Sequence, residues 1–398
     1  VTKGSRSSRP PPTPPLQGGE QTTGVLNVAL VLNEDQAMIR DSAEGFFKAE
    51  APTTAFRKLR DSKDATGFDR ALWKKMAEMG FAGVLVPEGH GGSGFGYVGA
   101  GLIQEAIGRN LSLSPMLSTA ILAATALLVG GTDEQKANYL PKIASGDLLM
   151  ALASDEKSRH TPNHVATTAA ASGNGFKLNG TKSFVLDGHV ADKLIVAART
   201  AGADGDTDGI TLFLVDPKAA GVSIARQSMV DSRNAAKVVL NDVQVDGADV
   251  LGGVGSGWAI LERALDAGRA CLAAEMLGVS AQSFETTVDY LKTRDQFGVK
   301  IGTFQALQHR AAHLFCEAAL ARSVTLRALQ ALDEGDDRAS IFASLAKAKG
   351  GEVAKLATNE GVQLHGGIGM TAEFDIGLYM KRARAARETF GDIAFNGD

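Results

Sequence analysis

Cysteine is scarce: Cys271 and Cys316 are the only two in 398 residues, and no CxxC pair occurs. That argues against a disulfide framework and a thiolate zinc site, and it fits a reducing, cytoplasmic setting. Long apolar runs are missing as well. Stretches such as 120–130 fall well short of the roughly 20 residues that span a bilayer, so no membrane association is expected. Charge of one sign is also missing. The 41 Lys and Arg against 45 Asp and Glu leave −4, which excludes a polybasic nucleic-acid binder and an acidic disordered chain. What remains is globular in kind: 44% apolar and 22% charged residues, on a chain long enough for two or three domains.

Proline is concentrated rather than spread. Five of the 11 stand at 10, 11, 12, 14 and 15. Residues 1–28 therefore read as a disordered extension outside the fold, too proline-rich for an amphipathic targeting helix. From Asn33 a helical period begins, with Ala37, Ile39, Ala43, Phe46 and Phe47 on the apolar positions. A second helix is expected near 68–79, a short extended piece at 84–87, and a loop with five glycines from Glu88 to Gly96. The loop's spacing matches neither a P-loop nor a dinucleotide fingerprint, so it reads as turns. Helices resume over 98–140. Near Met150 the character changes to short strands at 166–171, 175–178, 193–199, 210–215, 223–224 and 237–240. Turn signals at Ser172-Gly-Asn-Gly175 and Asn179-Gly180 separate them. From Gly257 long Ala- and Leu-rich helices cover 258–293, 304–333 and 338–365. Helices, then strands, then helices, with no βα alternation, exclude Rossmann and TIM folds.

Chemistry-bearing patterns are sparse. His309 and His313 share a helix face, but no HExxH or carboxylate cluster joins them, and no metal is expected. No GxSxG stands out. Three segments gain meaning together. Arg294-Asp-Gln-Phe-Gly298 with Phe304-Gln305 offers a phosphate-binding guanidinium beside apolar and amide groups. Gln363-Leu-His-Gly-Gly-Ile-Gly369 lets backbone approach a ligand at a helix end. Thr181-Lys-Ser-Phe-Val-Leu-Asp-Gly188 is strand-like and ends in a turn.

In this order and spacing, and with Val86-Pro-Glu88 and Gly180-Thr-Lys182, the chain resembles the acyl-CoA dehydrogenase family over about residues 34–395. The resemblance implies an α+β multidomain fold. Its parts are an N-terminal all-α domain (29–149), a central antiparallel β-barrel domain (150–250) and a C-terminal four-helix bundle (251–398). It implies FAD between the β domain and the bundle. Ser154, Phe184 and Leu186 match positions beside the flavin, with Leu186 in place of the usual hydroxyl residue. Arg294, Gln296 and Phe297 match contacts to the neighbouring subunit's cofactor, and Phe304, Gln305, Gln363, Leu364, Gly366 and Gly367 match further cofactor contacts. The implied partners are an acyl-CoA substrate, an electron-transferring flavoprotein as acceptor, and further subunits in a homodimer, homotetramer or heterotetramer.

The implied reaction is α,β-dehydrogenation of an acyl-CoA to the 2-enoyl-CoA, and its base is where the sequence departs. The two positions where the family keeps a Glu match Phe390 and Gly268, neither of which accepts a proton. Arg269 matches a supporting arginine of the pocket. Glu388 is the first choice for a replacement base, with the absence of any internal base standing level with it. Asp392 and Asp266 follow, although Asp392 matches an FAD contact and Asp266 suits an ion pair with Arg269. The family's acidic-Pro-Gly run after Ser154 is replaced by Asp155-Glu-Lys-Ser-Arg-His-Thr-Pro162, so the loop that meets the thioester is remodelled. Two rival readings stand: a flavin monooxygenase or oxidase on the same fold, and a catalytically inactive FAD-binding partner subunit.

Overall fold

A computed structural model describes residues 30–397, and the expected extension at 1–28 lies outside the described residues. The first helix starts where its cap predicts. Asn33 Oδ1 accepts from the Gln36 amide at 2.8 Å, and the Gln36 side chain accepts from the Asn33 amide at 3.1 Å. This reciprocal capping box opens α1 (Glu34–Glu50). Next come α2 (Thr53–Ser62), α3 (Arg70–Glu78), α4 (Gly96–Asn110), α5 (Ala124–Gly130) and α6 (Asp133–Ala144). A π-helical run, Met116–Ala123, leads into α5. Residues 84–87 are not an extended piece. Val86 donates to the Gly83 carbonyl and Gly94 to the Val86 carbonyl, so the chain turns repeatedly here and through the glycine loop.

The middle of the chain is a sheet of β1 (Met150–Ala153), β2 (Thr168–Ser172), β3 (Gly175–Leu186), β4 (Lys193–Arg199), β5 (Ile210–Val215), β6 (Val222–Ser228), β7 (Asn234–Asp246) and β8 (Val250–Leu251). Its order is β6-β7-β3-β2-β4-β5-β8, with β1 added on β4. The ladders are antiparallel except those of β4 with β1 and β2. The Ser172–Gly175 hairpin forms as expected. The Asn179-Gly180 turn does not, and β3 runs straight through it. Asn179 is tied across the sheet to Asp242 by two hydrogen bonds of 2.8 and 3.1 Å. Gly180 lies so close to β2's approach that a Cβ there would stand 2.3 Å from Thr167 Oγ1. Close approach, not a turn, is what that glycine serves. Val185, Val196, Phe213 and Val238 close a core belonging to the sheet alone.

The C-terminal part is α7 (Trp258–Thr293), α8 (Gln305–Glu334), α9 (Ala339–His365) and α10 (Ile376–Glu388), with a short α11 (Ile393–Gly397). A small hairpin, β9 (Asp295–Gln296) with β10 (Val299–Lys300), joins α7 to α8. From Ala264 to Ser280 α7 is buried on every side, because α4, α8, α9 and α10 all pack on it. It is the axis that carries residues from the β domain's border to the far end of the bundle.

Candidate active site

A cavity of about 420 Å³ opens between the β domain and the C-terminal end of α10. Phe184 enters it from β3. The β3–β7 register slips between Lys182 and Val185, leaving one more residue on β3 than on its partner. This bulge holds Phe184 at φ +52°, half exposed, so that its ring lines the cavity. Leu186 lines it beside Phe184, and Phe390 lines it from the bundle. Ser154 is buried at the end of β1, where its carbonyl accepts from the Lys182 ammonium at 3.1 Å.

Phe390 and Gly268 are neighbours in space. A Cβ on Gly268 would lie 3.0 Å from the Phe390 ring and 2.7 Å from Leu122. The two positions expected to be empty of carboxylate are therefore one packed contact, in which the ring covers the glycine. Phe390 itself sits at φ +58°, and Lys347 of α9 holds its turn. The Lys347 Nζ donates to the Arg387 and Gly391 carbonyls at 2.9 and 2.8 Å. Burial, reinforced by the nearby Arg269, pushes the Lys347 ammonium down to about 7.

Arg269 is buried beside this turn. It donates to Asp266 at 2.7 Å and to the Phe390 carbonyl at 3.4 Å, and it lies over the Phe395 ring at 5.6 Å. Asp266 thus pairs with Arg269 as its spacing suggested, although burial still pushes its carboxyl upward. Glu388 lines the cavity from the exposed end of α10 and pairs with Arg384 at 3.3 Å. Asp392 accepts from the Phe395 amide at 2.9 Å and so caps α11.

The remodelled loop after Ser154 is latched down. Glu156 accepts from the Ala166 and Thr167 amides and pairs with the buried Lys182 at 2.6 Å. This brings Asp155 and His160 into the cavity wall. His160 Nδ1 is 2.8 Å from Asp155 Oδ2, and its Nε2 is 3.3 Å from Arg269 Nη2. Sequence reasoning missed His160 and Lys347. Neither belongs to a motif; the only signal was the departure of the 155–162 loop from the family pattern. It also missed a buried cluster in which Glu275 of α7 binds Arg233 and Arg382.

The other predicted residues gather elsewhere. Arg294 ends α7, exposed and without a side-chain partner among the described residues. Gln296 and Phe297 lie in the hairpin beyond it, and Phe297 packs on Phe304 with ring centroids 6.2 Å apart. Gln305 opens α8. The end of α9 carries Gln363, Leu364, Gly366 and Gly367. It joins this group through His365, stacked on Tyr290 at 4.4 Å. Arg269 and Arg294 share one helix 25 residues apart, about 37 Å at ~1.5 Å per residue. The two arginines therefore belong to separate surfaces of the chain.

These surfaces fit FAD in two halves. Gly366 stands at φ +63°, and an added Cβ at Gly366 or Gly367 would meet nothing within 4 Å, leaving backbone open to a phosphate. Arg294, four residues after the Tyr290 that stacks on His365, offers a guanidinium with no partner among the described residues. At the cavity, two buried acceptors, Asp155 Oδ1 and Gln227 Oε1, lack a partner among the described residues. Among the described residues no three His, Cys, Asp or Glu side chains gather as a metal site. No described helix is long and apolar enough to cross a membrane.

Comparison with known proteins agrees with this anatomy. Family models match in chain order: acyl-CoA dehydrogenase N-terminal domain over 33–147, middle domain over 150–243 and C-terminal domain over 255–395. The 3-(aryl)acrylate reductase of Clostridium sporogenes is 32% identical over 355 residues, 87% of this chain and 92% of that one. Butyryl-CoA dehydrogenase of Megasphaera elsdenii superposes with a TM-score of 0.84 at 26% identity, covering 92% and 97% of the two chains. A chain of the ChsE4-ChsE5 complex of Mycobacterium tuberculosis gives 0.83 at 27% identity, covering 92% and 96%. The described architecture and the matching domains in chain order have one reading: the chain belongs to the acyl-CoA dehydrogenase family, whose cofactor is FAD.

Proposed function

We propose that the protein carries out α,β-dehydrogenation of an acyl-CoA thioester to the 2-enoyl-CoA, as a subunit of an oligomer whose second chain completes each FAD site. The observation that carries this reading is the cavity between Phe184 of the β domain and Phe390 of the bundle. Bound there, FAD supplies the two-electron acceptor for the β-hydrogen. Phe184 and Leu186 would wall the ring system, with the Ser154 hydroxyl beside it. Arg294, Gln296, Phe297, Phe304, Gln305, Gln363, Leu364, Gly366 and Gly367 of a second chain would hold the rest. The Phe390 amide makes no hydrogen bond among the described residues, so it is available to the thioester oxygen as enolate charge develops. Exposed Lys157, Arg159 and Arg384 at the rim suit an anionic carrier. An electron-transferring flavoprotein is the acceptor that fits this reading.

A second reading, a cofactor-holding half of a heteromer, draws on the Phe390 ring packed over Gly268. It is also in keeping with likeness to a chain from a two-protein complex. Anaerobic titration of the FAD-loaded protein with a panel of acyl-CoA thioesters tests both. Flavin bleaching by the protein alone supports dehydrogenation. Bleaching only after a partner subunit is added supports the heteromer, and no bleaching in either case refutes the proposed reaction.

A further inference from the structure

Two carboxylates line the cavity, Asp155 and Glu388. Glu388 is exposed and ion-paired with Arg384. Asp155 is held very differently. One oxygen, Oδ2, contacts His160 Nδ1 at 2.8 Å, while Oδ1 is buried without a partner among the described residues. Buried polar atoms are normally satisfied, so an orphan carboxylate oxygen in a cavity wall calls for a donor that the described residues do not provide.

The hydrogen-bond roles follow from chemistry. Arg269 can only donate, so His160 Nε2 must accept from it at 3.3 Å. The neutral imidazole then carries its proton on Nδ1 and donates it to Asp155. Arg269 is itself fixed by Asp266 and by the Phe390 carbonyl. A chain of contacts, Asp266 to Arg269 to His160 to Asp155, thus runs from α7 to the cavity wall. It passes around Phe390, whose ring lies 6.3 Å from that of His160. The remodelled loop places a held carboxylate in the same cavity as the ring that occupies the usual acid's position.

Resting on the dehydrogenation proposed above, we infer that Asp155 is its catalytic base and that His160 is a positioning residue acting through it. The substrate's Cα–H bond breaks and an O–H bond forms at Asp155 Oδ1. The released pair becomes the Cα=Cβ bond as the β-hydrogen leaves with its own pair to oxidised FAD. The thioester loses two hydrogens and two electrons, one hydrogen as a proton on Asp155.

The test uses the FAD-loaded holoenzyme, with its partner subunit if one is required, and the acyl-CoA that bleaches the wild type. Deuterium incorporation at Cα in D₂O is followed by mass spectrometry beside flavin reduction. Asp155→Asn should still bind FAD and acyl-CoA while both rates fall roughly 10²–10⁴-fold, the usual size of a general-base contribution. Asp155→Glu should recover part of each rate. His160→Gln should lower kcat with KM unchanged. Wild-type rates in Asp155→Asn overturn the inference and leave the dehydrogenation standing. So does loss of exchange in Glu388→Gln with Asp155→Asn unaffected. A wild type that neither bleaches nor exchanges with any panel member overturns both. Should Asp155→Asn lose FAD, the Asp155→Glu and His160→Gln results decide: wild-type kcat in His160→Gln overturns the positioning role.

Discussion

Replacing Glu275 by Gln removes one charge from a buried cluster that is otherwise balanced. Glu275 is fully buried in α7 and accepts from Arg233 Nη2 at 2.5 and 2.6 Å and from Arg382 Nη1 at 2.8 Å. Arg382 Nε also lies 2.9 Å from Asp231. Without the Glu275 charge, two guanidinium groups face one carboxylate. Breaking a buried pair from one side costs about 3–5 kcal/mol. Gln keeps the volume and one carbonyl acceptor, which puts the expected cost near the lower end, about 3 kcal/mol. At ~2.1 cal/mol/K per residue, roughly 370 residues unfolding together give ~0.8 kcal/mol/K, so Tm should fall by about 4 °C at pH 7. Acidity provides a second reading of the same cluster. Burial pushes the Glu275 carboxyl up, but Arg233 and Arg382 override it and hold it below the ordinary value. A folded pKa below the unfolded one gives stability that is complete above the unfolded value of 4.5 and is lost as pH falls through the folded one. Calorimetry of both proteins with saturating FAD should therefore show a gap at pH 7 that narrows in acid below about pH 4.5. A Tm difference under about 1 °C at pH 7, or a gap that persists unchanged into acid, would refute this account. Function should follow stability, because Asp231 and Arg233 continue the cavity-lining run of Ser228, Met229 and Val230.

Lys347 predicts a slope of the same sign in a higher pH window. Its folded pKa of about 7 lies below the ordinary 10.5, so the unfolded chain binds the extra proton and wild-type stability should rise between those values. Lys347→Met should flatten that rise, as read from denaturant midpoints across pH. Gly268→Ala should cost about 1–3 kcal/mol by overpacking the Phe390 ring. Phe390→Leu should relieve part of that cost, so a double-mutant cycle of unfolding free energies should be clearly non-additive. Arg294→Ala should leave Tm of the cofactor-free protein unchanged but lower FAD retention on gel filtration, since its guanidinium has no partner among the described residues. Unchanged retention would make Arg294 a surface residue only.

Much of the helical architecture was legible because its signals are local. The Asn33 cap with Gln36 three residues on, and the 36-residue run of helix formers from Trp258 to Thr293, need no tertiary information. Strand ends were less legible. Asn179-Gly180 reads as a turn, yet its glycine is required by Thr167, a neighbour that the sequence does not reveal. The site divides in the same way. Motif spacing pointed to Phe184, which lines the cavity, while His160 stood in a polar loop with no period to announce it. Even Glu388 carried a local warning: four residues after Arg384 on α10, it shares an exposed face where an i,i+4 ion pair forms.

The absence of an acid at both family positions has a single physical cause rather than two. Position 390 lies in a left-handed turn whose flanking carbonyls are tied to Lys347, so its side chain is directed inward regardless of its identity. With Phe there, the ring needs space, and that space lies over position 268, where even one methyl group would stand 3.0 Å from it. A glutamate at 268 is sterically incompatible with Phe390, and glycine is the partner that fits. The same ring is flanked by His160, which also contacts Asp155, Arg269 and the Phe395 ring. Restoring an acid by Gly268→Glu alone should therefore fail to produce a folded, FAD-loaded protein. Phe390→Glu should fold, because its turn is held by backbone contacts and its side chain gives up space instead of demanding it. Circular dichroism and bound-flavin absorbance of the two variants decide between them. A folded Gly268→Glu protein would show that the ring and the glycine are not coupled.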